Sequence, residues 1–377
     1  MLSRGEDKPP SRRTKRYWKV AVLANIKDES LPKPEGVPPD AFADFDHIET
    51  IDAIRTALET DGHQTVFIQA DVDLPYTIRD EKPDICFNIA EGIGGDAREA
   101  QVPALLEMLQ IPYTGSRVLT NGISLDKTLT KRIWRDRRLP VASFQEFSVG
   151  DEPLRQDLEF PLFVKPAREG TGMGVDMNAI VNNEKELRER AEYIINTYQQ
   201  PALVETFLPG REFTVGIMGR TDAKMYSRHP EWYEKDGFHR FPVLELDSSR
   251  SVTPMVYSQA AKSKEVGEEG APGYFCPAHV EPELEKKLKY FALRAHQILN
   301  ALDVSRTDIR LDPQGNPRVM EINTLPGLTP DYSDLCLQSK AEGIRYEDLI
   351  LEILYLGASR WGMIEPREYN HDSSKKK

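Results

Sequence analysis

Residues 305–328, SRTDIRLDPQGNPRVMEINTLPGL, constrain this chain more than any other stretch. Two runs of alternating polar and apolar residues flank Pro313-Gln314-Gly315-Asn316. Glycine and asparagine tolerate the backbone angles of a tight turn, so the stretch reads as a β-hairpin. Centring the turn between Gln314 and Gly315 sets Asp308 opposite Glu321 and Arg306 opposite Asn323. Side chains two apart share one face of a strand, so these four project together. Ile309, Leu311, Met320 and Ile322 then form the core-facing side. Carboxylates directly across a sheet repel each other, and a cation between them removes the repulsion. Two carboxylates with an amide oxygen suit Mg²⁺, whose octahedron phosphate oxygens complete. The alternative is a solvated sheet face on which Arg306 neutralises both acids.

A chain of 377 residues is long enough for two or three domains with sizeable cores. Its net charge of −12 argues against general nucleic-acid binding. No run approaches the roughly 18 apolar residues of a membrane span. The basic residues 1–16 lack an apolar leader core and read as a disordered tail, as do residues 359–377. Cys86, Cys276 and Cys336 are scattered, in no metal-ligand spacing, which fits a reducing, cytoplasmic compartment.

Along the chain, residues 19–23, 65–68 and 85–88 read as buried strands, with a helix of period 3.6 over 45–59, so the chain opens as a parallel α/β unit. Glu91-Gly92-Ile93-Gly94-Gly95-Asp96 is a glycine-rich turn before a helix near 100–109, read as a connector because it lacks a dinucleotide or Walker spacing. Residues 124–138 read as a basic helix with a solvated face, Lys127 in its first turn being the one candidate for a ligand. Residues 160–166 end a strand on Lys165 and lead into Arg168-Glu169-Gly170-Thr171-Gly172-Met173-Gly174, a loop able to fold its amides over phosphates or to be a flexible hairpin. Residues 202–215 offer a strand edge to a base, with Glu205 and Glu212 as acceptors or as plain surface acids. Residues 247–277 are a long irregular segment carrying Lys262, of the kind that forms lids. A helix follows over 281–302, and another over 347–356.

Taken in order, PYTGS (112–116), LDK (125–127), VKPAREG (164–170), EFTV (212–215), YFCPA (274–278) and RTD…EINTLPGLT (306–308 and 321–329) resemble the ATP-grasp superfamily and, within it, the D-alanine–D-alanine ligase family. The likeness runs over about 87–353. It implies an α/β ATP-grasp fold: an N-terminal parallel-sheet domain (17–122), a central lobe (123–200) and a C-terminal lobe (201–358) with a lid (247–277). It implies an enzyme that uses ATP and Mg²⁺, or Mn²⁺, to activate a carboxylate as an acylphosphate, which an amine then attacks. By the same likeness Asp308, Glu321 and Asn323 are metal ligands, and Arg306, Lys262 and Thr171 are catalytic. Lys127, Lys165, Gly170, Gly172, Glu205, Thr206, Phe207, Leu208 and Glu212 are then ATP-binding. Its partners are small amino-acid or peptide substrates, with a homodimer as the oligomeric option.

The pattern departs from the family where amino acids would bind. The stretch after the first strand is Pro-rich, leaving Glu29 or Glu49 as candidates to hold the first substrate's amine. Ser263 stands at the lid tyrosine, and Asp331 appears where donors to a carboxylate are expected. A poor D-alanine–D-alanine ligase with another substrate pair is therefore expected. A phosphotransferase or a nucleotide-binding module on the same fold are the alternatives. Arg306 among the metal ligands weighs against the binding module, which has no transition state to stabilise.

Overall fold

The structure is a computed structural model of the chain and describes residues 17–26, 36–262, 264 and 267–367. The expected tail 1–16, Lys27 to Glu29, Lys33 and Ser263 lie outside the described residues.

The first unit runs β1 (Lys19–Ala24), α1 (Ile48–Glu59), β2 (Gln64–Gln69), α2 (Leu74–Glu81), β3 (Ile85–Asn88), α3 (Gln101–Leu109) and α4 (Val118–Leu125). Its strands pair in parallel in the order β2-β1-β3. Helix α1 starts three residues later than its apolar period suggests. The Asp46 amide donates to Asn25 O and the residue bridges Ile26, so the chain stays extended through Asp46. The basic helix expected over 124–138 is split in two at Asp126, whose extended backbone ends α4. Its side chain accepts from the Leu129 amide and so caps α5 (Lys127–Asp136).

The central sheet holds β4 (Phe144–Phe147), β5 (Leu162–Pro166) and β6 (Ile180–Val181), then receives β7 (Ala202–Thr206) after α6 (Glu184–Tyr198). Its order is β4-β7-β5-β6. The division expected at 200 therefore falls one strand early, because β7 hydrogen-bonds to β4 and β5. Leu187, Ala191 and Ile194 of α6 cover Val164 and Val204.

The third sheet is built from β8 (Glu212–Gly219), β9 (Phe238–Arg240) and β10 (Leu244–Asp247). The short α7 (Gln259–Lys262) precedes β11 (Gly273–Phe275), and α8 (Pro282–Ile298) precedes the hairpin of β12 (Val304–Leu311) and β13 (Pro317–Asn323). The order is β11-β10-β8-β12-β13, with β9 also on β8. Leu288, Ala292 and Ala295 of α8 pack on Phe213, Val215 and Ile309, and Trp134 of α5 joins the same core. Two helices close the chain, α9 (Asp334–Ala341) and α10 (Tyr346–Arg360). Ile350 and Leu354 of α10 pack with Ile51 and Ile54 of α1, so the last helix returns to the first unit. Among the described residues no helix is long and apolar enough to cross a membrane.

The hairpin keeps the expected register at its site end, with Arg306 across from Asn323 and Asp308 across from Glu321. A bulge after Asp308 then shifts the pairing, so Ile309 faces Val319. This corrects Met320: Val319 takes the core position, and Met320 turns to the same cleft as Glu321. An extra residue on one strand places two neighbours on one face, which strict alternation cannot foresee.

Candidate active site

Two adjoining cavities share Lys127, Tyr257, Lys262 and Glu321. One lies between the central sheet and the hairpin sheet. Phe163, Lys165, Gly172, Glu212, Asp308, Arg310 and Met320 are among its lining residues. The other opens toward the first unit and reaches Gly170, Thr171, Arg306, Asn323 and the 324–328 turn.

On the hairpin the facing acids do not meet each other bare. Arg306 Nε lies 3.1 Å from Asp308 Oδ1, and Lys127 Nζ lies 3.3 Å from Glu321. Thr214 Oγ1 donates to Asp308 at 2.6 Å, and Asn323 Nδ2 at 3.3 Å. Arg306 thus neutralises one acid and Lys127 the other. Burial alone would raise the Glu321 carboxyl, but Lys127, Lys165 and Lys262 hold it well below the usual range. It is therefore ionised at any physiological pH and available as a hard oxygen ligand. Arg306 also reaches Asp334 Oδ2 at 3.3 Å, on the first turn of α9. Burial disfavours its charge, yet Asp308 and Asp334 keep its pKa above the ordinary arginine value.

Capping by Asp126 puts Lys127 at the first position of α5, where its amide donates to Ala167 O and its ammonium to Glu169 O. The loop after β5 is thereby tied to the helix. Arg98 donates to Arg168 O, Arg168 pairs with Asp126 at 2.9 Å, and the Gly174 amide donates to Asp40 at 2.7 Å. Gly174 sits at φ +68 with a built Cβ 2.4 Å from Pro166, so this turn admits no side chain.

Glu205 is buried and its oxygens lie 3.0 Å from Lys165 and 2.9 Å from Lys131. The two ammoniums hold its carboxyl at about 2 against burial. It is an internal counter-ion here and lines neither cavity, in contrast to the expected acceptor for a base. Lys131 is wholly buried, an exception to the solvated face expected for that helix, which Arg132, Arg135, Arg137 and Arg138 keep. The position of Lys131 four residues after Lys127 was the available signal, since i and i+4 share a helix face. Thr206, Phe207 and Leu208 likewise line neither cavity, although Phe207 stacks on Phe163 at 6.4 Å. Glu212 does face the cleft, 3.5 Å from Arg310. Burial raises its carboxyl, with Arg310 acting the other way.

Other lining residues escaped sequence reasoning. Tyr257 comes from the expected lid, five residues before Lys262, whose ammonium sits 4.6 Å over its ring. It lines both cavities, and Tyr274 and Tyr332 join it in the second. The lid therefore contributes an aromatic wall despite the serine at 263. Arg310 Nη2 donates to Met255 O and ties the lid to β12. Asp331 does not face the cavity: its side chain is 71% exposed and pairs with Lys340 at 2.5 Å. Asp334 holds the acidic position instead. Glu49 is exposed on α1 and lines neither cavity. Asp44, Asp46, Glu91 and Glu99 line the end where it was expected.

Among known proteins, residues 133–355 match the family profile described as D-ala D-ala ligase C-terminus. The D-alanine–D-alanine ligase of Nitrosococcus oceani is 32% identical over 71% of this chain and 75% of its own. An uncharacterized protein of Sinorhizobium fredii, y4sG, is 32% identical over 91% of this chain and 98% of its own. A crystal structure of the D-alanine–D-alanine ligase from Bacillus anthracis complexed with ATP superposes with a TM-score of 0.67 at 23% identity. That match covers 92% of this chain and 99% of the other.

Proposed function

The chain belongs to the D-alanine–D-alanine ligase family, and from that premise we propose how its cleft performs ATP-dependent carboxylate–amine ligation. The observation that carries this reading is the convergence of Lys127, Lys165, Lys262 and Arg306 around the Asp308–Glu321 pair. A carboxylate oxygen of the first substrate attacks the γ-phosphorus of ATP, ADP leaves, and an acylphosphate forms. The amine attacks its carbonyl carbon, inorganic phosphate leaves with that carboxylate oxygen, and the amine loses a proton.

Each cation has a part in that charge movement. Lys165 and Lys127 face the nucleotide phosphates, and Lys262 approaches from the lid. The Thr171 hydroxyl and the amides around Gly170 and Gly172 cover the transferred group from the loop. Arg306, clamped between Asp308 and Asp334, offers a fixed guanidinium to the oxygens on which charge grows. Glu212 is the acceptor for a ribose hydroxyl. The donor set of Asp308, Glu321 and Asn323 fits Mg²⁺ or Mn²⁺, two carboxylates and an amide oxygen leaving room for phosphate oxygens. Bound there, such a cation would offset phosphoryl charge. Tyr257 and Tyr332 are apolar walls that keep water from the acylphosphate.

The test is ADP and phosphate release with ATP and amino-acid pairs, run with Glu321→Gln and Asp308→Asn alongside. Release should depend on the amine as well as the carboxylate. Each variant should lose roughly 10²-fold or more, as on loss of an electrostatic stabiliser, with an unchanged circular dichroism spectrum. Near-normal rates in both variants would remove the metal assignment, and amine-independent turnover would remove the ligase reading.

A further inference from the structure

The cavity toward the first unit holds more acidic side chains than an ordinary amino acid can use. Asp44, Asp46, Glu91 and Glu99 all line it, from the segment before α1, the turn after β3 and the approach to α3. Arg98 also stands at this end, and its guanidinium is already committed. It lies 2.9 Å from Asp44 and 3.2 Å from Glu169, and it donates to Arg168 O. Asp46, Glu91 and Glu99 have no side-chain hydrogen bond or ion pair among the described residues. Burial pushes all three carboxyls up, Asp46 and Glu99 to about 7; Arg98 opposes the rise at Glu91 and Glu99, as does Lys127 at Glu99, while Asp44 adds to it at all three. Half-buried carboxylates gathered in one cavity without an ion pair of their own are stabilised when a cation arrives.

Two kinds of cation answer that description. A metal ion needs several ligands converging on one point, and among the described residues no group of three His, Cys, Asp or Glu is set to hold one. Separate carboxylates spread along a cavity instead fit an organic cation with more than one charged end. The α-ammonium of an amino acid satisfies one carboxylate and leaves the others unpaired. The same cavity reaches Arg306, Asn323 and Lys127, so a molecule held here has its reacting end beside the phosphoryl site.

We propose that the amino-acid site accepts a substrate with a second cationic group, of the diamino-acid or guanidino-acid class, whose extra charge is held by Glu91 and Glu99 with Asp46 beside them. This rests on the ligase reading above, because the substrate's carboxylate must lie toward Arg306 for its far end to lie among these acids. Glu91 and Glu99 are then specificity residues that bind the substrate's distal cation and take no part in phosphoryl transfer.

Two measurements on the full chain separate this from the ligase reading. The first is ADP release with ATP and each enantiomer of alanine, lysine, ornithine and arginine, singly and in pairs, by wild type, Glu91→Gln and Glu99→Gln. The second is calorimetric binding of the same amino acids in the presence of a non-hydrolysable ATP analogue. Basic amino acids should exceed alanine by about tenfold or more in kcat/KM and in affinity. Each variant should shrink that ratio at least tenfold, mainly through KM, as on removing one partner of a buried charge pair. Alanine turned over and bound as well as any basic amino acid would overturn the proposal while leaving the ligase intact. So would variants that lower kcat equally for all substrates, since that marks a general base. Binding of basic amino acids lost in the variants, with no ADP from any pair, would uphold the cationic site and sink the ligase reading. No preferential binding and no turnover would overturn both.

Discussion

Glu205 shows how much one buried residue organises. Its single negative charge compensates two buried ammoniums, Lys131 and Lys165, in a region stripped of solvent. Burial pulls the Lys131 pKa down, whereas Glu205 and Glu321 keep that of Lys165 up. Glu205→Ala leaves both cations unpaired and should destabilise by roughly 3–5 kcal/mol, as for breaking a buried pair. Lys131→Met keeps the Lys165 pair and fills similar volume, so its cost should be less than half of that. Chemical denaturation of the two variants checks the order, and an equal or reversed order would show that Glu205 is not the shared counter-ion. Sequence reasoning singled out Glu205 as a nucleotide-binding residue and did not foresee its pairing with two lysines. The i+4 spacing places Lys131 on the face of Lys127, but its pairing with Glu205 depends on packing against β7. The Asp308–Glu321 register was legible because a two-residue period and a tight turn determine it locally. Asp334, Glu91 and Glu99 were not, since they reach the cleft from elements far apart in the chain.

Among the elements, the described residues of the 247–277 segment border the cleft. Met255 O accepts from Arg310, Lys262 O accepts from the Tyr332 hydroxyl, and Tyr257 closes both cavities. With the lid down the nucleotide-side cavity measures about 60 Å³. A site for a drug-sized ligand occupies roughly 300 Å³ or more, and we propose that ATP entry requires the lid to lift. Limited proteolysis should cut this segment more slowly with Mg²⁺ and a non-hydrolysable ATP analogue. Tyr332→Phe should speed the cut in the free protein by loosening one tie. Equal rates in all samples would contradict a lid. Length, glycines and Lys262 are what suggest a lid here from the sequence. Tyr257 was missed because the chain turns through α7, bringing residues five apart to one side.

Across the whole molecule, the acids gathered between the first unit and the hairpin sheet make stability depend on pH. Asp46 and Glu99 keep their protons up to about pH 7 in the folded chain but release them near pH 4 when unfolded. The folded state therefore binds more protons between those values, and stability falls as pH rises through that window. Asp44, Glu91, Glu169, Arg98, Lys127 and Tyr346 of α10 are the charged and titratable groups that face these two. Glu99→Gln should raise Tm at pH 7.5 by roughly 1–3 °C and much less at pH 5. A larger gain at pH 5 would contradict the sign. The three-sheet architecture was legible from motif order, whereas the assignment of β7 to the central sheet was not, because strand pairing is a long-range choice.

The passage of an acylphosphate through this cleft is tested most directly by isotope transfer. An amino-acid substrate labelled with ¹⁸O in its carboxylate is turned over with ATP and an amine, and the released phosphate is analysed by mass spectrometry. One labelled oxygen per phosphate, with the other retained in the product amide, is the predicted result. Unlabelled phosphate alongside amide product would contradict carboxylate activation by phosphoryl transfer.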